Sequence, residues 1–188
     1  MFSDDIARIR LRLEEAGAEE YRLSVRKFAP TATHVYGVKV PILNDMAREF
    51  SAAGLGLVDS LWEAGSFEER LLATKILGRL SRKQPEEAWE RATRFALDLR
   101  DWPTCDTLAT EAMRPAIAKF GDEILKGALA FCHEEGEWQR RFGLVLLTNF
   151  AKNPDCAEAI KSALNAVSED KRHYVKKAAD WLRRDLRG

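Results

Sequence analysis

The stretch from Asp101 to Asp106 combines an indole, a proline and a carboxylate at a predicted helix start. Pro103 suits the first helical position, because its φ is already helical and its missing N–H would have no partner there. We expect Trp102 just before this helix and Asp106 in its first turn, with both side chains on one face. An indole beside a carboxylate suits a cationic ligand. A purely structural explanation stays open, since helix dipoles favour acids in first turns and a Trp at a helix start commonly packs against neighbours.

Length and charge limit the possible functions. The 188 residues are 46% hydrophobic, which is enough for one sizeable core and predicts a single domain over residues 1–188. Lys and Arg together number 30, and Asp and Glu together also number 30. The whole molecule therefore has no net field to attract a polyanion, and a nucleic-acid function has to depend on local patches.

The cysteines and the N-terminus indicate the compartment. Cys105, Cys132 and Cys156 lie far apart and form no C-x-x-C pair, so they predict reduced thiols rather than disulfides or zinc ligands. The segment Met1–Asp5 is acidic where a signal peptide would be basic, and no apolar run is long enough to span a bilayer. We expect a cytoplasmic protein with no membrane partner, no metal site and no cofactor.

The elements that must position these residues are helices. Nearly every segment has helical periodicity and none shows sustained alternation of strand length, so the prediction is an all-α fold. Ser66 and Glu69 predict a capping box, and Pro115 predicts a bend or split in the central helix. The longest irregular stretch is predicted at residues 29–40. Predicted helices span residues 3–16, 18–28, 41–53, 57–64, 67–80, 86–100, 103–121, 122–133, 138–150, 155–167 and 168–186.

A repeat is visible in the spacing of polar residues. Arg70, Asp106, Arg141 and Lys177 follow one another at intervals of 36, 35 and 36 residues, each near the start of the second helix of a pair. A two-helix period of this length is a signature of HEAT-like repeats, whose second helices line a concave surface. We therefore predict an antiparallel helix-pair solenoid with a concave basic groove, along which these four residues form a ladder.

The last predicted helix carries an indole on a basic face. Trp181 lies away from the apolar stripe of this helix and shares a face with Tyr174, Lys177 and Arg184. Residues 171–188 contain seven Lys or Arg and two acids. This pattern fits a patch that contacts phosphates. Cover of Trp181 by a neighbouring repeat and an ordinary solvated surface are the alternatives.

Four motifs resemble those of the AlkD-like DNA alkylation repair proteins, HEAT-repeat glycosylases that excise positively charged N3- and N7-alkylpurines. Each motif is short, but the ordered set runs from residue 36 to residue 184 and is fairly specific. In chain order they are Tyr36-Gly37-Val38-Lys39-Val40-Pro41, Trp102-x-x-x-Asp106, Trp138-Gln139-Arg140-Arg141, and Val175-Lys176-Lys177-Ala178-Ala179-Asp180-Trp181-Leu182-Arg183-Arg184.

The resemblance implies roles for individual residues. Asp106 would be the catalytic carboxylate, Trp102 and Trp181 would cradle the sugar and backbone of the lesion, and Arg141 would engage a phosphate nearby. The family works without extruding the damaged base. Its members carry an aromatic residue in the second helix, where residues 23–26 have none here. Further DNA contacts are expected from Lys39, Arg70, Arg140, Lys176, Lys177 and Arg184.

The implied chemistry needs only one carboxylate. Glycosidic cleavage passes through an oxocarbenium-like transition state and ordinarily requires a second carboxyl group to protonate the leaving group. An alkylpurine cation already carries its positive charge and can leave without an acid, so Asp106 can suffice with the help of aromatic faces. The expected partner is double-stranded DNA with alkylated bases, and the expected state is a monomer.

Two other functions remain open. A non-catalytic, DNA-structure-binding HEAT-repeat protein would bind DNA with salt-dependent affinity that is indifferent to Asp106→Asn. A helical protein-interaction scaffold would not bind DNA at low salt and would present an apolar rather than a cationic groove.

Overall fold

The computed structural model describes residues 3–32 and 34–187, so Met1, Phe2, Gly188 and Thr33 of the predicted irregular stretch lie outside it. Over the described residues the fold is all-α, without β-strands, and no helix there has the length and hydrophobicity needed to cross a membrane. The helices are α1 Ser3–Ala16, α2 Glu19–Phe28, α3 Val40–Phe50, α4 Leu55–Ala64, α5 Phe67–Ser81, α6 Pro85–Ala96, α7 Trp102–Thr107, α8 Ile117–Phe131, α9 Glu137–Thr148, α10 Ala157–Ala166 and α11 His173–Arg187. Shorter turns are the π-helical segment Leu108–Ala112 and the 3₁₀ turns Ser51–Ala53, Arg114–Ala116 and Pro154–Cys156.

The helix starts follow from local sequence. Pro41, Pro85 and Pro103 each lie in the first two positions of a helix, where a missing N–H costs nothing. The capping box before α5 is confirmed: the hydroxyl of Ser66 accepts the Glu69 N–H at 3.1 Å, and the Glu69 carboxylate accepts the Ser66 N–H at 3.3 Å.

The predicted end of the sixth helix and the predicted start of the last helix were wrong. The helix α6 ends at Ala96 instead of continuing to residue 100, and the chain then turns so that the Asp98 carboxylate pairs with Arg70 and Arg100. The last helix begins at His173 instead of residue 168, because the Asp170 carboxylate accepts the backbone N–H of Arg172 at 3.0 Å and stabilises a turn there.

The split at Pro115 is confirmed. A proline inside a helix removes a backbone hydrogen bond and clashes with the preceding turn, and here the chain passes from α7 through the π-helical segment and a 3₁₀ turn before α8 begins. The predicted new helix start at Asp122 was wrong, because α8 runs from Ile117. Its irregularity is at Phe120, whose φ of −136° and ψ of 26° are not helical.

The irregular stretch before α3 is fixed by one buried carboxylate. Glu68 accepts the backbone N–H groups of Tyr36, Gly37 and Val38 at 2.9, 2.8 and 3.2 Å. Gly37 has a φ of +84°, and an added Cβ would lie 2.5 Å from the carbonyl oxygen of Ala18, so the turn requires glycine. The start of α5 thereby determines where α3 begins.

Two inner helices organise the packing. The helix α5 contacts α3, α4, α6 and α7, and α9 contacts α7, α8, α10 and α11. A continuous cluster of buried apolar side chains runs from Ile9 to Leu182. This packing places α7 between α5 and α9, and α11 against α9. It is compatible with a HEAT-like solenoid and with a single domain, which both remain predictions.

Candidate active site

The start of α7 is fixed by a buried cap. Asp101 has extended backbone angles, and its Oδ1 accepts the Thr104 N–H at 2.8 Å. Burial raises the pKa of the Asp101 carboxyl, and the hydrogen bond from the Thr104 N–H counteracts this in part. Trp102 is the first residue of the helix rather than the residue before it, so Trp102 and Asp106 lie one turn apart on the same helix face.

Asp106 forms a bidentate ion pair with Arg141 of α9. The Nε of Arg141 donates to Oδ1 at 2.9 Å, and its Nη2 donates to Oδ2 at 2.7 Å. The Asp106 side chain retains 17% of its exposure, whereas that of Arg141 retains 7%. The carboxylate is therefore oriented by the arginine and still reaches the surface.

Burial and the arginine act on the pKa of Asp106 in opposite directions. Burial raises the pKa of this carboxyl and is the largest effect, while the hydrogen bonds and charge of Arg141 lower it and the charge of Asp101 raises it further. The result is a raised pKa. The adjacent Cys105 thiol is fully buried and its pKa is raised well above the ordinary value, so it is protonated and unsuited to act as a nucleophile.

Arg141 is placed differently from the expectation that it engages a phosphate. Besides its two bonds to Asp106, its Nη1 donates to the backbone carbonyl oxygen of Tyr174 at 2.9 Å. The ring of Trp138, also on α9, lies 4.7 Å from that of Tyr174. Each guanidinium nitrogen thus already donates within the protein. In this structure Arg141 orients Asp106 and links α7, α9 and α11.

An open cavity of about 670 Å³ brings together the four residues proposed for catalysis. Trp102, Asp106, Arg141 and Trp181 all line it. Three of the residues expected to bind DNA line it as well, and all three are exposed: Lys176, Lys177 and Arg184. Lys171, His173 and Asp180 complete the lining. We call this space the cationic cavity.

The other three expected DNA contacts lie elsewhere. Arg70 is 12% exposed, pairs with the Asp98 carboxylate, donates to the Asp98 carbonyl oxygen at 2.9 Å and lies over the ring of Trp62. Arg140 pairs with the Asp170 carboxylate at 2.9 Å. These two guanidiniums are used within the fold and do not line the cationic cavity, and DNA contact by Arg70 and Arg140 stays a prediction. Lys39 is exposed before α3 and does not line the cationic cavity.

Comparison with known protein families identifies the family of this chain. A family model described as DNA alkylation repair enzyme matches residues 9–187. The chain belongs to this family. Searches of the curated proteins and of the solved structures gave no significant match.

Family membership assigns the chain a role in DNA alkylation repair and places it among enzymes. Three of the four motifs that carry the resemblance contribute residues to the cationic cavity, from α7, α9 and α11. Among the described residues, no three His, Cys, Asp or Glu side chains cluster as metal ligands.

Two residues of this family member were missed by sequence reasoning. Tyr21 and Phe28, both on α2, line a second cavity of about 260 Å³ that also touches Trp102 and Asp106. The rings of Phe28 and Trp102 lie 5.6 Å apart. The expectation that α2 brings no aromatic residue to the site was therefore wrong. Their spacing in the sequence indicated this: Tyr21 and Phe28 are seven residues apart, so they lie on the same face of α2.

Proposed function

We propose that this family member is a DNA glycosylase that excises cationic N3- and N7-alkylpurines from double-stranded DNA. The main support is the position of the Asp106 carboxylate, which lines one open cavity together with the indoles of Trp102 and Trp181. In the proposed reaction Asp106 stabilises the positive charge that develops on the sugar as the glycosidic bond breaks. The alkylated base leaves with the bonding electron pair as a neutral molecule and needs no acid, and water then adds to the cationic sugar and loses a proton to solvent.

The two indoles would hold the sugar at this carboxylate. The faces of aromatic rings attract cations, and an oxocarbenium-like sugar is cationic. Trp102 is 37% exposed, which is unusual for a residue of its size in this chain, where Trp62 is buried. A large indole at the surface beside a carboxylate is available to a ligand.

The cations of α11 would bind the DNA backbone. Lys176, Lys177 and Arg184 are exposed around the cationic cavity, and lysine and arginine neutralise phosphates with release of counterions. We further propose that the helix pairs form a single HEAT-like domain whose concave groove includes this cavity.

Arg141 would act through Asp106. Two parallel hydrogen bonds fix the plane of the carboxylate, and the bond to the Tyr174 carbonyl oxygen fixes the guanidinium in turn. Preorganised charge of this kind costs no rearrangement at the moment of reaction.

Release of methylated purines from alkylated duplex DNA tests the proposal. The Asp106→Asn variant should lose at least about 10²-fold in the single-turnover rate, because an amide cannot balance the charge on the sugar. The Asp122→Asn variant is the matched control, since Asp122 is exposed on α8, lines neither of the two cavities and undergoes the same change in charge. It should retain the wild-type rate, and thermal unfolding should confirm that both variants are folded.

A non-catalytic DNA-binding protein is the second candidate. It is favoured by the bidentate pair itself, because Arg141 neutralises the carboxylate on which the enzyme depends. Such a protein would bind duplex DNA, release no base, and bind equally well after Asp106→Asn. That combination of results would exclude the glycosylase.

A further inference from the structure

The backbone of residue 174, in the first turn of α11, is bound at both of its polar groups by side chains of α9. Oε1 of Glu137 accepts the Tyr174 N–H at 3.1 Å, and Nη1 of Arg141 donates to the Tyr174 carbonyl oxygen at 2.9 Å. Glu137 and Arg141 are four residues apart, so they lie on the same face of α9. One turn of α9 therefore holds one residue of α11.

Glu137 serves α11 as a cap that comes from a neighbouring helix. The first N–H groups of a helix have no acceptor within that helix, and the N–H of residue 174 is one of them. The helix dipole favours an acid in the first turn of α9, but that alone does not explain a contact with α11. Asp170 pairs with Arg140 and Arg172 and fixes the loop before α11. Glu137 instead contacts the backbone of the helix itself.

The apolar contacts of α11 define its position along α9 less closely. The helix α11 packs against α9, and its buried residues are Val175, Ala178, Ala179 and Leu182. Hydrophobic contact is non-directional and depends on the area removed from water. A hydrogen bond weakens steeply when its angle bends or its atoms separate. The two bonds at residue 174 therefore determine where α11 lies along α9.

The position of α11 matters because the helix carries Trp181. This residue lies seven positions after Tyr174, so both lie on one face of α11, about 10 Å apart along its axis. Trp181 and Asp106 line the cationic cavity. The guanidinium of Arg141 that binds the Tyr174 carbonyl oxygen also binds the Asp106 carboxylate. Residue 174 is thus the point at which α11 is connected to the carboxylate.

We propose that Glu137 is a positioning residue that fixes the Trp181 indole relative to the Asp106 carboxylate. This role depends on the proposed function, in which the indole and the carboxylate act on the same sugar. Glu137 does not line the cationic cavity, so it acts through the backbone of α11. Arg141 cannot reveal the same role by itself, because its removal also changes the charge beside Asp106.

Glu137→Asp and Glu137→Gln separate the reach of this side chain from its charge. Aspartate keeps the charge but is one methylene shorter, so its carboxylate withdraws from the Tyr174 N–H. Glutamine keeps the length and an oxygen acceptor but loses the charge. Single-turnover base release from alkylated duplex should slow between about tenfold and 10²-fold in Glu137→Asp, because small displacements in an active site have effects of this size. In Glu137→Gln it should stay within about threefold of the wild type.

Glu134→Asp is the matched control, because Glu134 is exposed just before α9 and lines neither cavity. It should keep the wild-type rate. A wild-type rate in Glu137→Asp would overturn the proposal. A loss in Glu137→Gln as large as in Glu137→Asp would also overturn it, since the charge and not the reach would then matter.

Two further measurements distinguish positioning of Trp181 from a general loss of structure. Duplex affinity should change by less than about threefold in Glu137→Asp, because the flexible lysine side chains of α11 can follow a small displacement. In a Trp181→Ala background, Glu137→Asp should slow base release no further, because residues that act together are not additive. Multiplied effects, with all variants folded by thermal unfolding, would show that Glu137 does not act through Trp181.

Failure of the glycosylase and failure of the positioning role are distinguishable. The indole N–H resonance of Trp181, assigned by its absence in Trp181→Ala, should shift in Glu137→Asp and stay in place in Glu137→Gln. This measurement requires no base release. A chain that shows the shift but releases no base overturns only the glycosylase. A chain that releases base but shows no shift in Glu137→Asp overturns only the positioning role.

Discussion

Burial and the guanidinium of Arg141 shift the pKa of the Asp106 carboxyl in opposite directions. The low-dielectric surroundings disfavour its charge, and the guanidinium of Arg141 favours it. Because burial has the larger effect, the pKa of Asp106 is raised, and its ionised form is less stable than the ion pair with Arg141 alone would suggest. A second cation that approaches the carboxylate from the side opposite Arg141 stabilises its charge further. A developing oxocarbenium ion is such a cation.

The rate of base release should therefore depend on pH with an acid limb above 3.8, the ordinary pKa of aspartic acid. Only the ionised carboxylate stabilises the cationic sugar, so activity falls as the pH drops through the raised pKa of Asp106. Single-turnover rates measured from about pH 4 to 8 on alkylated duplex would show this, with Asp106→Asn as the background. In Arg141→Gln the limb should move to higher pH, because the guanidinium only lowers this pKa. A limb at or below 3.8 would contradict the assignment.

The free energy of unfolding also depends on pH through the titration of Asp106. Because the pKa of Asp106 is higher in the folded chain than in the unfolded chain, its contribution to the free energy of unfolding is fully present below 3.8. That contribution declines as the pH rises through the folded pKa. The ionised carboxylate thus costs stability under the conditions in which it is proposed to act.

At the scale of the elements, the loop before α3 depends on the start of α5. Glu68 is completely buried and its carboxylate oxygens accept the N–H groups of three consecutive residues, Tyr36 to Val38. Val38 and Val40 line the second cavity, the one of about 260 Å³ that also touches Trp102 and Asp106. One side chain of α5 therefore holds part of the cavity wall in place.

Glu68→Gln should lower the free energy of unfolding by about 2–3 kcal/mol, because an amide replaces a charged acceptor and turns one NH₂ group towards the loop N–H donors. Urea denaturation would measure the change. Glu63→Gln is the control, since Glu63 is exposed at the end of α4 and should change stability by no more than about 0.5 kcal/mol. A loss in Glu68→Gln as small as in the control would show that the loop is held by other contacts.

Local signals in the sequence predict local structure well here. The Ser66 and Glu69 cap and the split at Pro115 are confirmed, because both depend on atoms within a few residues of each other. The side-chain partners of Arg141 and Arg70 were not predictable in the same way. They lie 35 and 28 residues away, and the pairing depends on how neighbouring helices are staggered. The contribution of Tyr21 to the site is of the same kind, since it depends on how α2 packs against α7.

At the scale of the whole molecule the net charge is zero, but positive charge is in local excess around the cationic cavity. Lys and Arg equal Asp and Glu in number over the chain, yet exposed cations of α11 gather around one cavity. With no long-range field, DNA binding has to depend on contacts within about one Debye length, roughly 10 Å at 0.1 M salt.

Lys177→Gln should weaken duplex binding and reduce the slope of log affinity against log salt by about 0.9, the value for one lost phosphate contact. Fluorescence anisotropy over a series of salt concentrations would measure this slope. Lys126→Gln makes the same change in net charge on α8, where Lys126 is exposed and lines neither cavity. Its slope should match the wild type, and equal losses in both variants would indicate that only net charge matters.

The bond from Arg141 to residue 174 is accepted by a main-chain oxygen. Any amino acid at that position offers the same acceptor, so the tyrosine could be exchanged in evolution while the arginine kept its anchor. The bond fixes the position of the backbone at residue 174, near the start of α11, and not the identity of its side chain. A comparison of residue identities would therefore miss this constraint, whereas a comparison of structures would show it.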